Sequence, residues 1–295
     1  MDAERRAEVR AELLLLLVVT IWAGNYPIAK YGISGLNLYI FNALRFITAA
    51  LLLALVYFAR QAWVPIRITD WPALIRAGLV ANVLYQVAFI VGLSMTTAGN
   101  SAILLATAPL WTVVISARIQ KERVGRHVWL GMVASLLGIV LVVIGSGKKV
   151  EVGTTALIGD IICVGAAFLW AFNTNMQKPL LQRYSPIQVS LVMISVGAIG
   201  LSIFAFWPTV STDWSPVPWT YIAAALVSGT LAIAAGNVMW SYGVKRLGPN
   251  RTGNFGNLIP VLALVVSYVT LGEELSVVQA SGAALTLFGV WFARW

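Results

Sequence analysis

Trp22-Ala23-Gly24-Asn25 and Trp170-Ala171-Phe172-Asn173 are one short phrase used twice, 148 residues apart, and Lys30 and Lys178 follow at the same spacing. From Gly78 onward the spacing becomes 151 and holds without a gap. It pairs Gly78 with Gly229, Gly92 with Gly243, Pro109 with Pro260, Glu122 with Glu273, Gly131 with Gly282 and Gly138 with Gly289. Such matches weigh more than matches on Leu or Val, because Gly and Pro answer backbone requirements that other residues do not meet. The chain is therefore written twice, and we read residues 1–147 as one copy and 148–295 as the second.

Composition says what medium the two copies occupy. Of 295 residues, 59% are hydrophobic and 11% charged, with a mean hydropathy of +0.85. Soluble domains run to about a quarter charged, and a chain this long has no soluble core large enough for so much apolar surface. A hydrocarbon slab about 30 Å thick needs about 20 apolar residues per helix. Stretches of that length fall near 13–31, 38–58, 73–95, 98–119, 128–145, 156–176, 187–207, 219–242, 252–271 and 276–294. The expectation is an all-α polytopic membrane protein of ten transmembrane helices, five per copy, forming one membrane unit. Because five is odd, the second copy enters the bilayer from the opposite side. Inverted repeats of this kind build many secondary transporters, with the substrate site near mid-membrane.

The net charge of +9 invites a nucleic-acid reading until the charges are located. Arg5, Arg6 and Arg10 precede the first span. Arg60, Arg67 and Arg76 flank the second joint, and Arg118, Lys121, Arg123 and Arg126 fill the fourth. Lys178 and Arg183 mark the sixth joint, Lys245, Arg246 and Arg251 the eighth, and Arg294 the end. The odd joints carry only Lys30, Lys148 and Lys149. By the positive-inside rule both termini and the even joints are cytoplasmic. The basic balance reports topology, and no nucleic-acid partner is implied.

Arg5-Arg6 followed by Leu13 to Val19 resembles a signal-peptide start. The recurrence of Trp22-Ala23-x-Asn25 in the sixth span marks the first segment instead as a retained helix. The single Cys163 excludes an internal disulfide. Enzyme chemistry finds little support: His127 is the only histidine, and there is no HExxH, no phosphate-binding loop and no cysteine cluster. We therefore expect no metal, no cofactor and no catalytic residue.

Polar groups deep in the spans are the remaining candidates. Arg45 lies about eight residues into the second span, about 12 Å deep, where a charge costs about 2.5–3.5 kcal/mol on insertion scales. It is either an anchor for an anionic group or a staple between helices, and its counterpart in the second copy is Met193. Trp22, about nine residues and 14 Å into its span, and Trp170, Trp111 and Tyr85 come out near mid-depth, away from the interfacial aromatic belt. Packing explains any one of them; the doubled motif favours Trp22 and Trp170 as lining one cavity. Asn25, Asn173, Asn82, Asn237, Asn254 and Asn257 add amides that are costly in lipid unless they face one another or water. The last four plot toward the cytoplasmic half, as a polar inner gate would.

Pro109 and Pro260 stand at equivalent places of the fourth and ninth spans, where each removes a backbone hydrogen bond. They are hinges or static bends. Gly131 with Gly138, and Gly282 with Gly289, recur seven apart on one helix face, as close helix packing requires. Glu122 and Glu273 close the fourth and ninth spans as capping or tethering residues.

Taken together, the two five-span halves, the doubled Trp-Ala-x-Asn, Arg45-Phe46, the paired prolines and the paired glutamates resemble the EamA-type branch of the drug/metabolite transporter superfamily. Within it the chain is most similar to bacterial YddG-type exporters of aromatic and other amino acids. The resemblance covers essentially the whole chain. It implies a basket of ten helices in the bacterial inner membrane, exporting small metabolites by alternating access, with Trp22, Asn25, Tyr85, Trp111, Trp170, Asn173 and Arg45 as substrate-binding candidates. Amino acids are the leading substrate class, and another small metabolite or a cationic drug is the alternative. The partners implied are a small-molecule substrate and the lipid bilayer; the oligomeric state stays open.

Overall fold

A computed structural model of the chain describes residues 3–59, 64–95, 104–118, 121, 123–145, 154–271 and 276–293. Among them every regular element is helical. Six helical runs are long and apolar enough to cross a membrane: Glu4–Gly35, Leu38–Ala59, Ile68–Phe89, Leu157–Arg183, Pro186–Ser211 and Trp219–Phe255. Arg126–Val142 and Val277–Phe292 are shorter apolar helices. Outward faces are apolar, with Leu55, Ile203 and Trp207 at 69%, 72% and 73% exposure. Water would penalise that surface at about 25 cal/mol per Å²; lipid does not. The chain is a multi-pass membrane protein.

Local chemistry sets several ends. Pro186 opens its helix where its missing N–H costs nothing, and Ser185 Oγ accepts from Gln188 N. Ser276 and Gln279 cap the last helix reciprocally. Gly248 adopts φ +82, open to glycine, and the chain resumes helix at Pro249. The first helix, Ala3–Gly35, is 33 residues long, about 50 Å, and so begins well before the expected apolar boundary.

The described chain clusters into two compact units that cut across the sequence copies: residues 1–83 with 177–245, and residues 84–176 with 246–295. Inside the first, Gly78 of one copy and Gly229 of the other make equivalent contacts. A Cβ on Gly78 would stand 3.0 Å from Met193 O, and one on Gly229 would stand 2.5 Å from Arg45 O. Met193 and Arg45 are themselves equivalent positions, so the helices of the two copies meet backbone to backbone in the same way.

The second unit repeats the logic around the helices Arg126–Gly145 and Val277–Phe292. A Cβ on Gly131 would stand 2.6 Å from Gly289 O, and one on Gly138 would stand 2.6 Å from Gly282 O. The pairing is reciprocal and runs in opposite chain directions. Thr286 Oγ1 lies 3.4 Å from the carbonyl of Ser135, its own equivalent at the 151 spacing. Reciprocal contacts of this kind are what a local two-fold relation produces.

Two further features recur. The third and eighth spans each widen into a π-helical segment, Val80–Leu84 and Gly229–Ala235, whose last residues are equivalent. The stretches expected from sequence as the fourth and ninth spans each break, among the described residues, just before their proline. Residues 106–107 and 256–257 form turns, and helix restarts over Ala108–Arg118 and Leu258–Leu271. Pro109 and Pro260 thus stand in the first turn of a restarted helix, where the missing N–H is tolerated, instead of midway along a bent one. Glu122 and Glu273 lie outside the described residues.

Candidate functional site

In the first unit Trp22 is tied down by its own unit. Its Nε1 donates to Ala232 O at 2.9 Å, and its ring meets Trp240 at 5.2 Å. Ala232 lies in the π-helical segment, where the widened ladder leaves carbonyls open to an outside donor. Gly236 supplies the room, since a Cβ there would stand 2.7 Å from Trp22 Nε1. Asn25 Oδ1 accepts from Ser228 Oγ at 2.6 Å. Asn237 Nδ2 donates to Ile233 O at 2.8 Å, within the same π segment, and Asn82 Nδ2 donates to Met193 O at 2.8 Å.

Arg45 is half-buried. Its Nη1 donates to Asn42 Oδ1 at 3.0 Å, and its guanidinium carbon lies 5.5 Å from the centre of the Phe41 ring. These two contacts are on its own helix, and the second spreads the charge over an aromatic face.

The second unit presents an aromatic wall. Tyr85 meets Trp170 at 5.2 Å and stacks on Phe89 at 6.1 Å. Trp111 meets Phe168 edge-on at 5.8 Å, and Phe168 stacks on Phe172. Among the polar atoms of this unit that are buried without a hydrogen-bond partner are the donor Trp111 Nε1 and the acceptor Asn173 Oδ1, on a residue only 2% exposed, together with Ser135 Oγ, Thr252 Oγ1, Asn254 Oδ1 and Asn257 Oδ1. An unmet buried polar group costs about 1–3 kcal/mol, and such groups are few in native proteins.

Asn254 Nδ2 donates to Val290 O at 2.9 Å, and Asn257 Nδ2 lies 4.0 Å from Met132 Sδ. Both side chains reach from the broken ninth span toward the glycine-paired helices. The structure thus places Trp22, Asn25, Arg45, Asn82 and Asn237 in the first unit and Tyr85, Trp111, Trp170, Asn173, Asn254, Asn257, Pro109 and Pro260 in the second. It brings Tyr85 and Trp170 together, whereas the four asparagines of the expected gate each bond to a different neighbour.

Sequence reasoning passed over Asn175. Its Nδ2 donates to Ala171 O at 2.9 Å and its Oδ1 accepts from Ser116 Oγ at 2.7 Å, stapling the fourth span to the sixth. An amide two residues beyond Asn173 in an apolar stretch was the available signal. Asp70 was passed over too. It is 6% exposed, paired with Arg183 Nη1 at 2.7 Å, and accepts from Tyr184 Oη at 2.7 Å. Its signal was the lone acid between Arg67 and Arg76. Among the described residues no three His, Cys, Asp or Glu side chains gather as a metal site would need.

Comparison with known proteins follows the same doubling. The sequence profile of the EamA-like transporter family matches residues 9–144 and again residues 157–295. An uncharacterized transporter of Bacillus subtilis, YyaM, is 25% identical over 94% of this chain and 91% of its own. A probable terminal-alkyne amino-acid exporter of Streptantibioticus cattleyicolor is 27% identical over 95% of this chain and 92% of its own. A protein crystal structure superposes with a TM-score of 0.81 at 17% identity, covering 97% of both chains, a likeness of fold.

Proposed function

The chain belongs to the EamA-like transporter family, and its relatives are transporters, not enzymes; from that premise we propose that it exports small metabolites, amino acids foremost, by alternating access. The reading rests on ten spans in two inverted five-helix copies, with both termini in the cytoplasm, in a bacterial inner membrane. Reciprocal antiparallel packing at Gly131, Gly138, Gly282 and Gly289 supports the inversion, and the alternating basic joints support the orientation.

One observation carries the substrate class. A buried donor, Trp111 Nε1, and a buried acceptor, Asn173 Oδ1, stand unmet in a unit that also carries the Tyr85–Trp170 aromatic pair. A zwitterion brings a carboxylate to take a donor and an ammonium to give to an acceptor, while its side chain packs on rings. Trp22 and Asn25 then act as ties that hold the first and eighth spans together. The prolines mark the restarts of the fourth and ninth spans, where broken helices allow movement between states. A relative named as a probable amino-acid exporter points the same way.

Counterflow of a labelled amino-acid panel in proteoliposomes tests the proposal. Exchange of at least one amino acid above protein-free vesicles is expected. Exchange of organic cations alone would replace amino acids with the drug-type alternative.

A further inference from the structure

The two copies of Trp-Ala-x-Asn differ in one buried atom. In the first copy Asn25 Oδ1 is satisfied by Ser228 Oγ at 2.6 Å. At the 151 spacing the equivalent of Ser228 is Ala77, which has no hydroxyl to give. Asn173, the equivalent of Asn25, is 2% exposed, and its Oδ1 has no partner. The same comparison separates the tryptophans. Trp22 lies against Gly236, whereas the equivalent of Gly236 is Tyr85, whose ring faces Trp170 at 5.2 Å. The first copy thus has a methyl and an aromatic ring at the positions where the second has the Ser228 hydroxyl and Gly236.

We propose that Asn173 Oδ1 is the acceptor for an N–H of the substrate's amino group, so that it sets selectivity for solutes carrying a primary amine. Resting on the proposed amino-acid export, this assigns one atom to one substrate group. A primary ammonium has three donors and suits a neutral amide oxygen in an aromatic setting, where cation–π attraction to Trp170 and Tyr85 adds to the bond. A neutral acceptor also releases its ligand more readily than a buried carboxylate, whose pairing with an ammonium is stronger and slower to break. Asn173 lies three residues from Trp170 on one helix, so the two side chains project from neighbouring positions of the same surface.

The test uses purified protein in proteoliposomes, with labelled phenylalanine counterflow inhibited by unlabelled phenylalanine or by its N-trimethyl betaine. The betaine keeps both charges and has no N–H. The native protein is expected to prefer phenylalanine by about tenfold or more, the range of a hydrogen bond to a charged group. Asn173→Leu should bring that ratio close to one while betaine inhibition persists. Asn173→Asp, which keeps the shape and the acceptor, should keep or raise the preference, and it carries the test if the Leu variant does not fold. An unchanged ratio in a folded Leu variant, or a preference lost in the Asp variant, overturns the assignment and leaves amino-acid export standing. No phenylalanine counterflow by the native protein, with other amino acids exchanged, overturns the assignment for aromatic substrates. No exchange of any amino acid overturns both readings.

Discussion

Trp22 with Asn25 and Trp170 with Asn173 share a motif and sit in different units, and the amide oxygen of Asn25 is satisfied where that of Asn173 is not. Trp22 donates its N–H to Ala232 O, and Asn25 Oδ1 accepts a hydrogen bond from Ser228 Oγ. Asn173 has an amide oxygen with nothing to accept from, in the unit where Trp111 also holds an unmet N–H. A repeat need not use both of its copies alike. One can become scaffold, its polar groups spent on holding helices together, while the other keeps its hydrogen-bonding capacity for a ligand. What the copies do share is backbone contact at glycine, seen at Gly78 and Gly229 in one unit and at Gly131, Gly138, Gly282 and Gly289 in the other.

The shared part breaks first and most severely. Gly138→Leu would push a side chain into the backbone of the facing helix, where Gly282 O already stands 2.6 Å from an added Cβ. Overpacking in a close-packed core costs about 1–3 kcal/mol, more where backbone has to move. The expected outcome is loss of the monodisperse, detergent-extracted protein. A folded Gly138→Leu variant of native melting temperature would mean that the two helices do not meet there.

The difference between the copies is sharpened by paired indole substitutions. Trp22→Phe removes the donor to Ala232 O and leaves a carbonyl unmet, a loss of about 1–3 kcal/mol. Its melting temperature should fall before transport per folded molecule does. Trp170→Phe should show the reverse, with near-native melting and weaker substrate affinity. The opposite pattern, measured on the same preparations, would exchange the roles assigned to the two motifs.

A gentler substitution makes position 228 of the second copy match position 77 of the first. Ser228→Ala deletes the hydroxyl that satisfies Asn25, as Ala77 does by nature at the equivalent place. About 1 kcal/mol of stability should go with it. No change in melting would show that the Asn25 amide finds another partner at no cost.

The doubled glycines were legible in sequence because no other residue permits such an approach, so their spacing reports geometry directly. The π-helical segments were not. Val80–Leu84 and Gly229–Ala235 contain no proline and no polar pattern, and a five-residue ladder shift leaves hydropathy unchanged. The breaks at residues 106–107 and 256–257 were half legible. Proline names the region, yet what it interrupts is the turn on its N-terminal side, because the lost N–H and the ring both act toward residue i−4. Asn173 could be listed from its motif but not told apart from Asn25, because the distinguishing atom belongs to a different span.

The smallest expected effect is none at all. If the open chemistry of the second unit is neutral, then transport should follow the solute's own gradient. Proton coupling through a carboxylate usually needs an Asp or Glu inside a span, where its neutral form is tolerated and its charge does work. Asp70 is taken up by Arg183 and Tyr184. Asp213 stands in an exposed turn, where the backbone N–H of Ser215 and then its hydroxyl hold the carboxyl below its usual range. What stability that turn gains is present above the ordinary carboxylate range and is lost only as pH falls through the lowered value, so a pH step near neutrality leaves it charged. Glu4, Glu8 and Glu12 occupy the first turns of a helix much longer than the bilayer, and Asp160 is the seventh residue of its own. Proteoliposomes loaded equally with a zwitterionic substrate on both sides should therefore show no net accumulation when a pH step is imposed. Sustained accumulation driven by the step alone would place a titrating group on the transport path, with Asp160 the first residue to replace. In that event the unmet amide of Asn173 would no longer describe all the chemistry that meets the substrate.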